Sequence, residues 1–330
     1  MGATMKRQYT NKHHPCPICG NHHGCAIRED SLIECLRSFS SQDAPAGYRF
    51  IKPLRNDMGG LFVEDDGSDS QKATEEWSRR QQERIQIKVR ERLSIEERDR
   101  QFRLVLHSKA STLSFHHFSH LLNQRQLTAD EIKKLIELGW VRTWEPGIYA
   151  PHGVNADLPG ISPDGQLLGM QGIALAALDP GGHLTGMQIA TLLQNPKYIW
   201  LSGANHGGNG PQLPNGELPL FCWKHLETNA ISEVWLCEGA LKSLLVAIRL
   251  WREGKTHIAV IGTAAAARYG KQTLRDYLSQ LGAKTLRLMP DAGAVINPHI
   301  AAANQQTLKW LEVWNYQVCV GWWEQYTNGT

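Results

Sequence analysis

The sequence predicts a mixed α/β fold, α+β overall, with a parallel sheet in its C-terminal part. Three short apolar runs carry this prediction, because strands buried on both faces of a parallel sheet appear as continuous apolar runs. Each run is followed by a turn residue or a carboxylate, and the stretches between them are long enough for a helix. The runs cover residues 234–237, 258–261 and 286–289.

The ends of these runs carry side chains that suit a ligand site. Glu238 follows the first run, Thr263 the second and Asp291 the third. In an open α/β sheet, residues just past the carboxyl ends of the strands line the ligand crevice, so we expect the three to converge. Carboxylates are hard oxygen ligands of the kind that hold Mg²⁺. The alternative is that both carboxylates are loop residues that cap the helices which follow.

The N-terminal cysteines predict a metal site. Four of the seven cysteines lie at or before position 35, which favours a metal site in a reducing compartment over a disulfide framework. Cys16 and Cys19 form a C-x₂-C loop that lets two thiolates meet one ion, and Cys25 and Cys35 can complete a tetrahedral structural zinc site. Four histidines are rival ligands, above all for the place of Cys25: His13, His14, His22 and His23.

Composition and charge exclude several classes of protein. The net charge is only +3, so the chain is not a general nucleic-acid coat and any such surface must come from local clustering. No apolar run reaches the roughly 18 residues of a membrane span, and residues 1–15 lack the apolar core of a secretory signal. We therefore expect a cytoplasmic protein without a membrane partner. The other cysteines have apolar neighbours and are predicted to be core residues: Cys222, Cys237 and Cys319.

The chain divides into five predicted segments. Residues 64–75 contain no apolar residue except Ala73, which indicates a flexible linker. Interleaved arginines and glutamates between 77 and 105 predict a helix with a solvated charged face. The segments are a zinc-binding ribbon at 1–62, the linker at 63–75, a helical region at 76–147, an N-terminal core subdomain at 148–228 and the α/β domain at 229–330.

Local signals place several smaller elements. Thr128 and Glu131 form a capping box, which predicts the start of a helix. Turn residues predict short strands over 166–170 and 183–189 that pair in a hairpin or meander. The Gly- and Asn-rich stretch 204–214 predicts a long polar loop that is mobile or faces a ligand.

The motifs together resemble a Toprim domain, the metal-binding fold of primases, topoisomerases and related nucleases. The resemblance is carried by Glu-Gly at 238–239, Gly-Thr-Ala at 262–264 and Pro-Asp-Ala-Gly-Ala at 290–294. Lys-Tyr at 197–198 and Pro-Leu-Phe at 219–221 are similar to signatures that precede the Toprim domain in bacterial-type replicative primases. With the cysteine cluster, the arrangement is most similar to the N-terminal part of large cyanobacterial plasmid replication proteins, in which a helicase domain follows.

The resemblance implies a function for the predicted segments. Glu238 and Asp291 would be the catalytic residues and would hold Mg²⁺ or Mn²⁺. The partners would be single-stranded DNA, which the zinc ribbon reads in primases, together with nucleotides and the following helicase domain. Residues 148–228 would form a primase-like core subdomain and residues 229–330 the Toprim domain. The implied nucleotide- or DNA-binding residues are Lys197, Tyr198, Lys242 and Thr263.

The sequence departs from the pattern of active primases. Lys242 and Gly293 stand where that pattern has carboxylates, and Ala190 stands where it has an arginine. Two unit charges 4 Å apart at an effective dielectric near 20 interact by about 4 kcal/mol, so an ammonium beside a divalent ion is disfavoured. Lys242 is therefore predicted either to point away or to bind a phosphate in place of a second metal. We expect at most one well-bound divalent ion.

Two hypotheses of function follow from this sequence. The first is a primase-type nucleotidyltransferase that copies single-stranded DNA into a short primer with Mg²⁺. The second is a catalytically degenerate module that binds DNA or nucleotide and positions a helicase at a plasmid origin. A Toprim nuclease is a third and weaker hypothesis, because the primase-like sequence ahead of the domain argues against it.

Overall fold

The computed structural model divides the chain into two compact units, Met1–Gln86 and Ile87–Thr330, which we call the N-terminal and C-terminal units. Most of the predicted linker and the first part of the predicted helical region lie outside the described residues. The five predicted segment boundaries therefore stay a prediction. The structure describes residues 7–54, 59–65, 92–108, 113–193, 196–206, 208–228, 230–263, 269–291, 294 and 297–321.

The N-terminal unit is a small antiparallel sheet around a cysteine-rich core. The strands lie in the order β1-β2-β3-β5-β4. Its core consists of Ile18, Ile33, Phe62 and three buried cysteines, which is little apolar surface for an independent unit. The strands are β1 Arg7–Tyr9, β2 Ala26–Arg28, β3 Ile33–Cys35, β4 Tyr48–Pro53 and β5 Gly60–Glu64.

The C-terminal unit begins with three helices. Helix α1 packs on strand β8. The predicted capping box is confirmed at the start of α3, where the Glu131 amide donates to the Thr128 hydroxyl (3.2 Å) and the Thr128 amide donates to the Glu131 carboxylate (2.7 Å). A single π-helical turn, His120–Gln124, follows α2. The helices are α1 Ile95–Ser108, α2 Phe115–Ser119 and α3 Ala129–Glu137.

A four-stranded antiparallel sheet follows, with its strands in sequence order. The strand predicted over 183–189 is confirmed to within one residue as β8, and the turn after Asp179 joins it in a hairpin to β7. The strand predicted over 166–170 is wrong: only isolated bridges form there, Gly169 has a φ of +110°, and β7 starts later. The strands are β6 Val141–Trp144, β7 Gly172–Leu178, β8 Leu184–Ala190 and β9 Tyr198–Trp200.

The second sheet of this unit contains the three predicted parallel strands. Its order is β10-β12-β11-β13-β14, in which β10 runs antiparallel to β12 and the other neighbours are parallel. The predicted parallel pairing is confirmed. The strands are β10 Phe221–Trp223, β11 Glu233–Glu238, β12 Ile258–Thr263, β13 Thr285–Met289 and β14 Gln317–Val320. The helices are α4 Ala240–Arg252, α5 Lys271–Leu281 and α6 Pro298–Val313.

Helices cover both faces of this sheet, as the apolar runs require. Helix α4 shares one core with the four-stranded sheet, and α5 and α6 contribute to a second core. Alternation along β11 shows the two faces, because Leu236 belongs to the core under α5 and Cys237 to the core under α4. The carboxyl ends of β11, β12 and β13 therefore meet at one edge between two packed layers.

Three expectations about exposure have different outcomes. Cys222 and Cys237 are buried as predicted, but Cys319 is exposed because it lies on β14, an edge strand with one neighbour. The predicted polar loop contains a short 3₁₀ turn, Ala204–His206, and two buried residues, Pro211 and Leu213, so part of it is packed.

Within the described ranges, no helix combines the length and hydropathy needed to cross a membrane.

Candidate functional site

The four N-terminal cysteines form a cluster that can hold a metal ion. The sulfur atoms of Cys16, Cys19, Cys25 and Cys35 all lie within 4.8 Å of one another. The Sγ atoms of Cys19 and Cys25 are 3.7 Å apart, and those of Cys25 and Cys35 are 3.9 Å apart. Tetrahedral zinc with Zn–S bonds of about 2.3 Å needs sulfur separations of about 3.8 Å, so the cluster has the size of a zinc site.

Backbone turns position these sulfur atoms. The Gly20 amide donates to the Cys16 carbonyl (2.8 Å), and Gly20 adopts a φ of +69°, which closes the C-x₂-C loop. The amide of Thr10 donates to the Cys25 carbonyl (3.0 Å), and Cys35 ends β3. Cys25 is thus the fourth member of the cluster, and among the described residues it includes none of the rival histidines His13, His14, His22 and His23.

Burial sets the thiol chemistry of the cluster. It raises the pKa of Cys16 and raises that of Cys25 far above its usual value. Burial acts in the same direction on Cys19, but hydrogen bonds from the Asn21 amide and the neighbouring thiols outweigh it, so the pKa of Cys19 is lowered. Metal binding requires thiolates, so loading this site would release protons.

The second site lies at the carboxyl edge of the parallel strands. Glu238 ends β11 directly opposite Thr263, which ends β12, and Asp291 follows β13 by two residues. Gly262 allows α4 to approach, because a Cβ atom there would lie 2.1 Å from the Ser243 hydroxyl. The sequence prediction that the three edge residues converge is consistent with this topology. Gly293, where the resemblance expects a carboxylate, lies outside the described residues.

An ion pair joins Lys242 to Asp291. The Lys242 Nζ atom lies 2.6 Å from Asp291 Oδ2, and the side chains are 45% and 21% exposed. Lys242 was predicted to point away from the carboxylates or to bind a phosphate. Lys242, in the first turn of α4, faces Asp291 instead of pointing away and supplies a positive charge to that carboxylate, while its binding to a phosphate stays a prediction.

Glu238 keeps an unsatisfied oxygen beside this ion pair. In the part of the chain that the structure describes, its buried Oε2 atom and the buried hydroxyl of Thr263 have no hydrogen-bond partner. Burial raises the pKa of Glu238, and the charge of Asp291 raises it further, while Lys242 acts in the opposite direction. A buried acceptor without a partner is costly, so this position favours a ligand that brings a cation or a hydrogen-bond donor.

The other implied DNA-binding residues belong to the four-stranded sheet. Lys197 is exposed and its carbonyl accepts from the Thr191 amide (3.1 Å), and Tyr198 is 38% exposed on the edge strand β9. Lys197 directly precedes β9 and Tyr198 begins it, so both lie at a different sheet from Glu238, which ends β11. Ala190 is buried at the end of β8, so the position where primases have an arginine faces a packed environment here.

Sequence reasoning missed Arg98, which lies in the stretch predicted to be a solvated helix face. Arg98 is fully buried and its guanidinium donates to the carbonyls of Thr185 (3.0 Å), Pro211 (3.1 Å) and Gln212. Burial lowers its pKa to about 10. Arg98 therefore fixes the loop between β9 and β10, and the alternating charges around it gave no signal of this role.

Comparison with known proteins does not assign the chain to a family. Neither a scan against protein-family models nor a search of curated proteins found a match. The site geometry and the motif resemblance therefore carry the functional argument. Of the acidic, cysteine and histidine residues that the structure describes, only the four cysteines form a group of three or more suited to a metal.

Proposed function

We propose that this chain is a primase-like module of a plasmid DNA replication protein that binds single-stranded DNA and nucleotide. One observation carries the proposal: Glu238 presents a buried oxygen, without a partner among the described residues, at the carboxyl edge of parallel strands. Asp291, Lys242 and Thr263 belong to the same edge. Ligands of open α/β sheets bind at such edges, and the Toprim resemblance gives the ligand class.

The cysteine cluster would hold a structural zinc ion. The two sulfur separations of 3.7 and 3.9 Å support zinc, as does the small core of the N-terminal unit. Zinc contributes roughly 10–16 kcal/mol of apparent binding free energy to small domains, which is enough to decide whether such a unit folds. The ribbon would then present a surface to single-stranded template, as the resemblance implies.

Each residue of the sheet edge has a proposed part in ligand binding. Glu238 and Asp291 would hold one Mg²⁺ or Mn²⁺ ion, which when bound supplies positive charge to the phosphates of a nucleotide. Lys242 would donate to a phosphate after leaving Asp291, and the Thr263 hydroxyl would donate to the same ligand. The donor atoms are of the type that Mg²⁺ prefers, but the contact between Lys242 and Asp291 supports at most one weakly held ion.

A catalytically degenerate module is the second candidate function. The Lys242–Asp291 ion pair favours it, because a protein cation already neutralises a carboxylate that a metal would need. Such a module would bind single-stranded DNA or nucleotide and position the helicase domain that follows in the proteins it resembles. It would retain the binding surface while primer synthesis is lost.

A primer-synthesis assay with labelled nucleotides and a single-stranded template separates the two candidates. Slow, Mg²⁺- or Mn²⁺-dependent synthesis that disappears in Asp291→Ala supports the enzyme. Asp276→Ala is the control, since that carboxylate is exposed on α5 and binds the Gln272 amide (2.8 Å). Full activity in Asp291→Ala would place the chemistry elsewhere, and absence of synthesis with intact DNA binding would favour the degenerate module.

DNA binding is the test that both candidates share. Single strands should bind more tightly than duplex, and affinity should fall with salt because phosphate contacts release counterions. Lys197→Ala should weaken binding by a modest factor, as expected for one charged contact. Equal binding of duplex and single strands, or no binding at low salt, would remove the nucleic-acid assignment.

A further inference from the structure

Helix α5 and the C-terminal end of α6 carry two cations and two tryptophans, in which each cation lies over one ring, that the sheet-edge site does not use. The Lys271 Nζ atom lies 5.9 Å from the centre of the Trp310 ring, and the Arg275 guanidinium carbon lies 6.0 Å from that of Trp314. The two tryptophan rings stack at 6.4 Å with an interplanar angle of 25°. We call these four residues the cation–tryptophan ladder.

The spacing of the ladder fixes its geometry. Lys271 and Arg275 are one helical turn apart on α5, and Trp314 directly follows α6, four residues after Trp310, with its amide donating to the Trp310 carbonyl (3.0 Å). Because 271 meets 310 and 275 meets 314, the two helices run side by side in the same direction. The ladder is therefore continuous along the pair of helices.

The ladder lies at the border between the core and the surface. On α6 the buried positions are Asn304, Thr307 and Leu311, whereas Trp310 remains partly exposed. Val313, 77% exposed, is its neighbour on the outer side of the helix. Both tryptophans also pack against the second core, so the ladder sets exposed cations on a half-buried aromatic pair.

The charges beside the ladder favour an anionic partner. Lys271, Arg275 and Lys309 are all exposed. The nearest acid on α5, Asp276, accepts from the Gln272 amide (2.8 Å), and Glu312 follows Trp310 by two residues and so points to another side of α6. Proteins often bind single-stranded nucleic acids on surfaces that combine cations with aromatic rings. The bases stack on the rings, and the cations neutralise the phosphates.

We propose that the cation–tryptophan ladder is a docking surface for single-stranded nucleic acid, which leads the strand to the sheet edge. The start of α5 lies next to that edge, because the Tyr269 hydroxyl donates to the Cys237 carbonyl (3.2 Å) one residue before Glu238. Bases stack on the rings and the Arg275 plane, and the cations contact the phosphates. The identity of the ligand rests on the proposed function, whereas the path it takes does not.

The test is fluorescence anisotropy of a labelled oligothymidylate with the full zinc-loaded chain. The aromatic variant is Trp310→Leu with Trp314→Leu, and its control is Phe115→Leu, which changes a ring that is 86% exposed elsewhere. The charge variant is Lys271→Gln with Arg275→Gln. Its control removes two exposed lysines from α3 by Lys133→Gln and Lys134→Gln.

We expect each ladder variant to bind about tenfold or more weakly, and the controls to stay within about twofold of the natural chain. The charge variant should also lower the salt slope by about 0.7 for each phosphate that the ladder cations no longer neutralise. Ultraviolet crosslinking of the unaltered chain to 5-iodouracil oligonucleotide should label peptides that contain Trp310 or Trp314. This measurement decides the matter even if a variant does not fold.

Three results would overturn the inference. Wild-type affinity in both ladder variants, with crosslinks elsewhere, would exclude this path while the proposed function stands. Weaker binding only in the charge variant, with heparin competing equally well, would show a general polyanion surface without base stacking. A wild-type chain that binds no single strand at low salt would overturn the ladder and the proposed function together.

Discussion

Replacing Lys242 by methionine should convert the sheet edge into a better metal site. Methionine keeps much of the length and apolar stem of lysine and removes only the charge. In the natural chain the formal charges of Glu238, Asp291 and Lys242 sum to −1, and in the variant they sum to −2. Asp291 would also lose the ammonium that lies 2.6 Å from its Oδ2 atom.

Binding of a divalent ion to the natural chain has two free-energy costs that the Lys242→Met variant avoids, and they set the expected gain in affinity. An exposed ion pair contributes about 0–1 kcal/mol, and Lys242 is 45% exposed, so breaking this contact is cheap. The displaced ammonium can retreat to about 8 Å, where an effective dielectric of about 40 leaves a repulsion of about 2 kcal/mol from a divalent ion. Together these costs of about 2–3 kcal/mol predict that Lys242→Met binds the ion roughly 30- to 150-fold more tightly.

The assay is a Mn²⁺ titration of the zinc-loaded chain, followed by electron paramagnetic resonance without nucleotide. Lys255→Met is the matched control, because Lys255 pairs with Glu253 at the same 2.6 Å distance beyond the other end of α4. The control should bind Mn²⁺ as the natural chain does. Equal and weak binding in Lys242→Met would refute the argument that Glu238 and Asp291 form a metal site restrained by lysine.

Three further predictions concern zinc, packing and pH. The chain should contain one zinc ion by elemental analysis, and a double variant with Cys16→Ser and Cys19→Ser should contain none. Arg98→Met should lower the free energy of unfolding by about 3 kcal/mol in urea titrations, because buried carbonyls lose their donors. The hydrogen bond to Asp179 raises the pKa of His183, so its contribution to stability is full below about 6.5 and is lost as pH rises through the raised pKa. Asp179→Asn should abolish that part of the pH dependence in thermal melts.

The sequence predicted those features that local chemistry determines. Continuous apolar runs require burial on both faces, which gave β11, β12 and β13 as parallel strands. A carboxylate or small residue at the end of each strand must lie at the same edge, so Glu238, Thr263 and Asp291 could be named without a structure. The cysteine cluster was predicted for the same reason, since the C-x₂-C loop brings two sulfurs together in any fold.

Features that depend on distant packing could not be predicted. Lys242 and Asp291 are 49 positions apart, and their contact depends on the register between α4 and the end of β13. Arg98 looked like any surface arginine, because its partners are backbone carbonyls that carry no sequence signal. The exposure of Cys319 follows from the position of β14 at the edge of the sheet, which an apolar run does not specify.

The charge balance at the sheet edge separates ligand binding from catalysis. Two bare carboxylates would repel a nucleotide phosphate, so a site with only Glu238 and Asp291 would need a metal before it could bind an anion. Lys242 cancels one of these charges without a metal and can transfer its hydrogen bond from Asp291 to a phosphate. Phosphate binding at this edge would therefore not require Mg²⁺, whereas the proposed nucleotidyl transfer would. In the proposed function, the lysine would thus keep a binding function available in a chain that holds metal weakly.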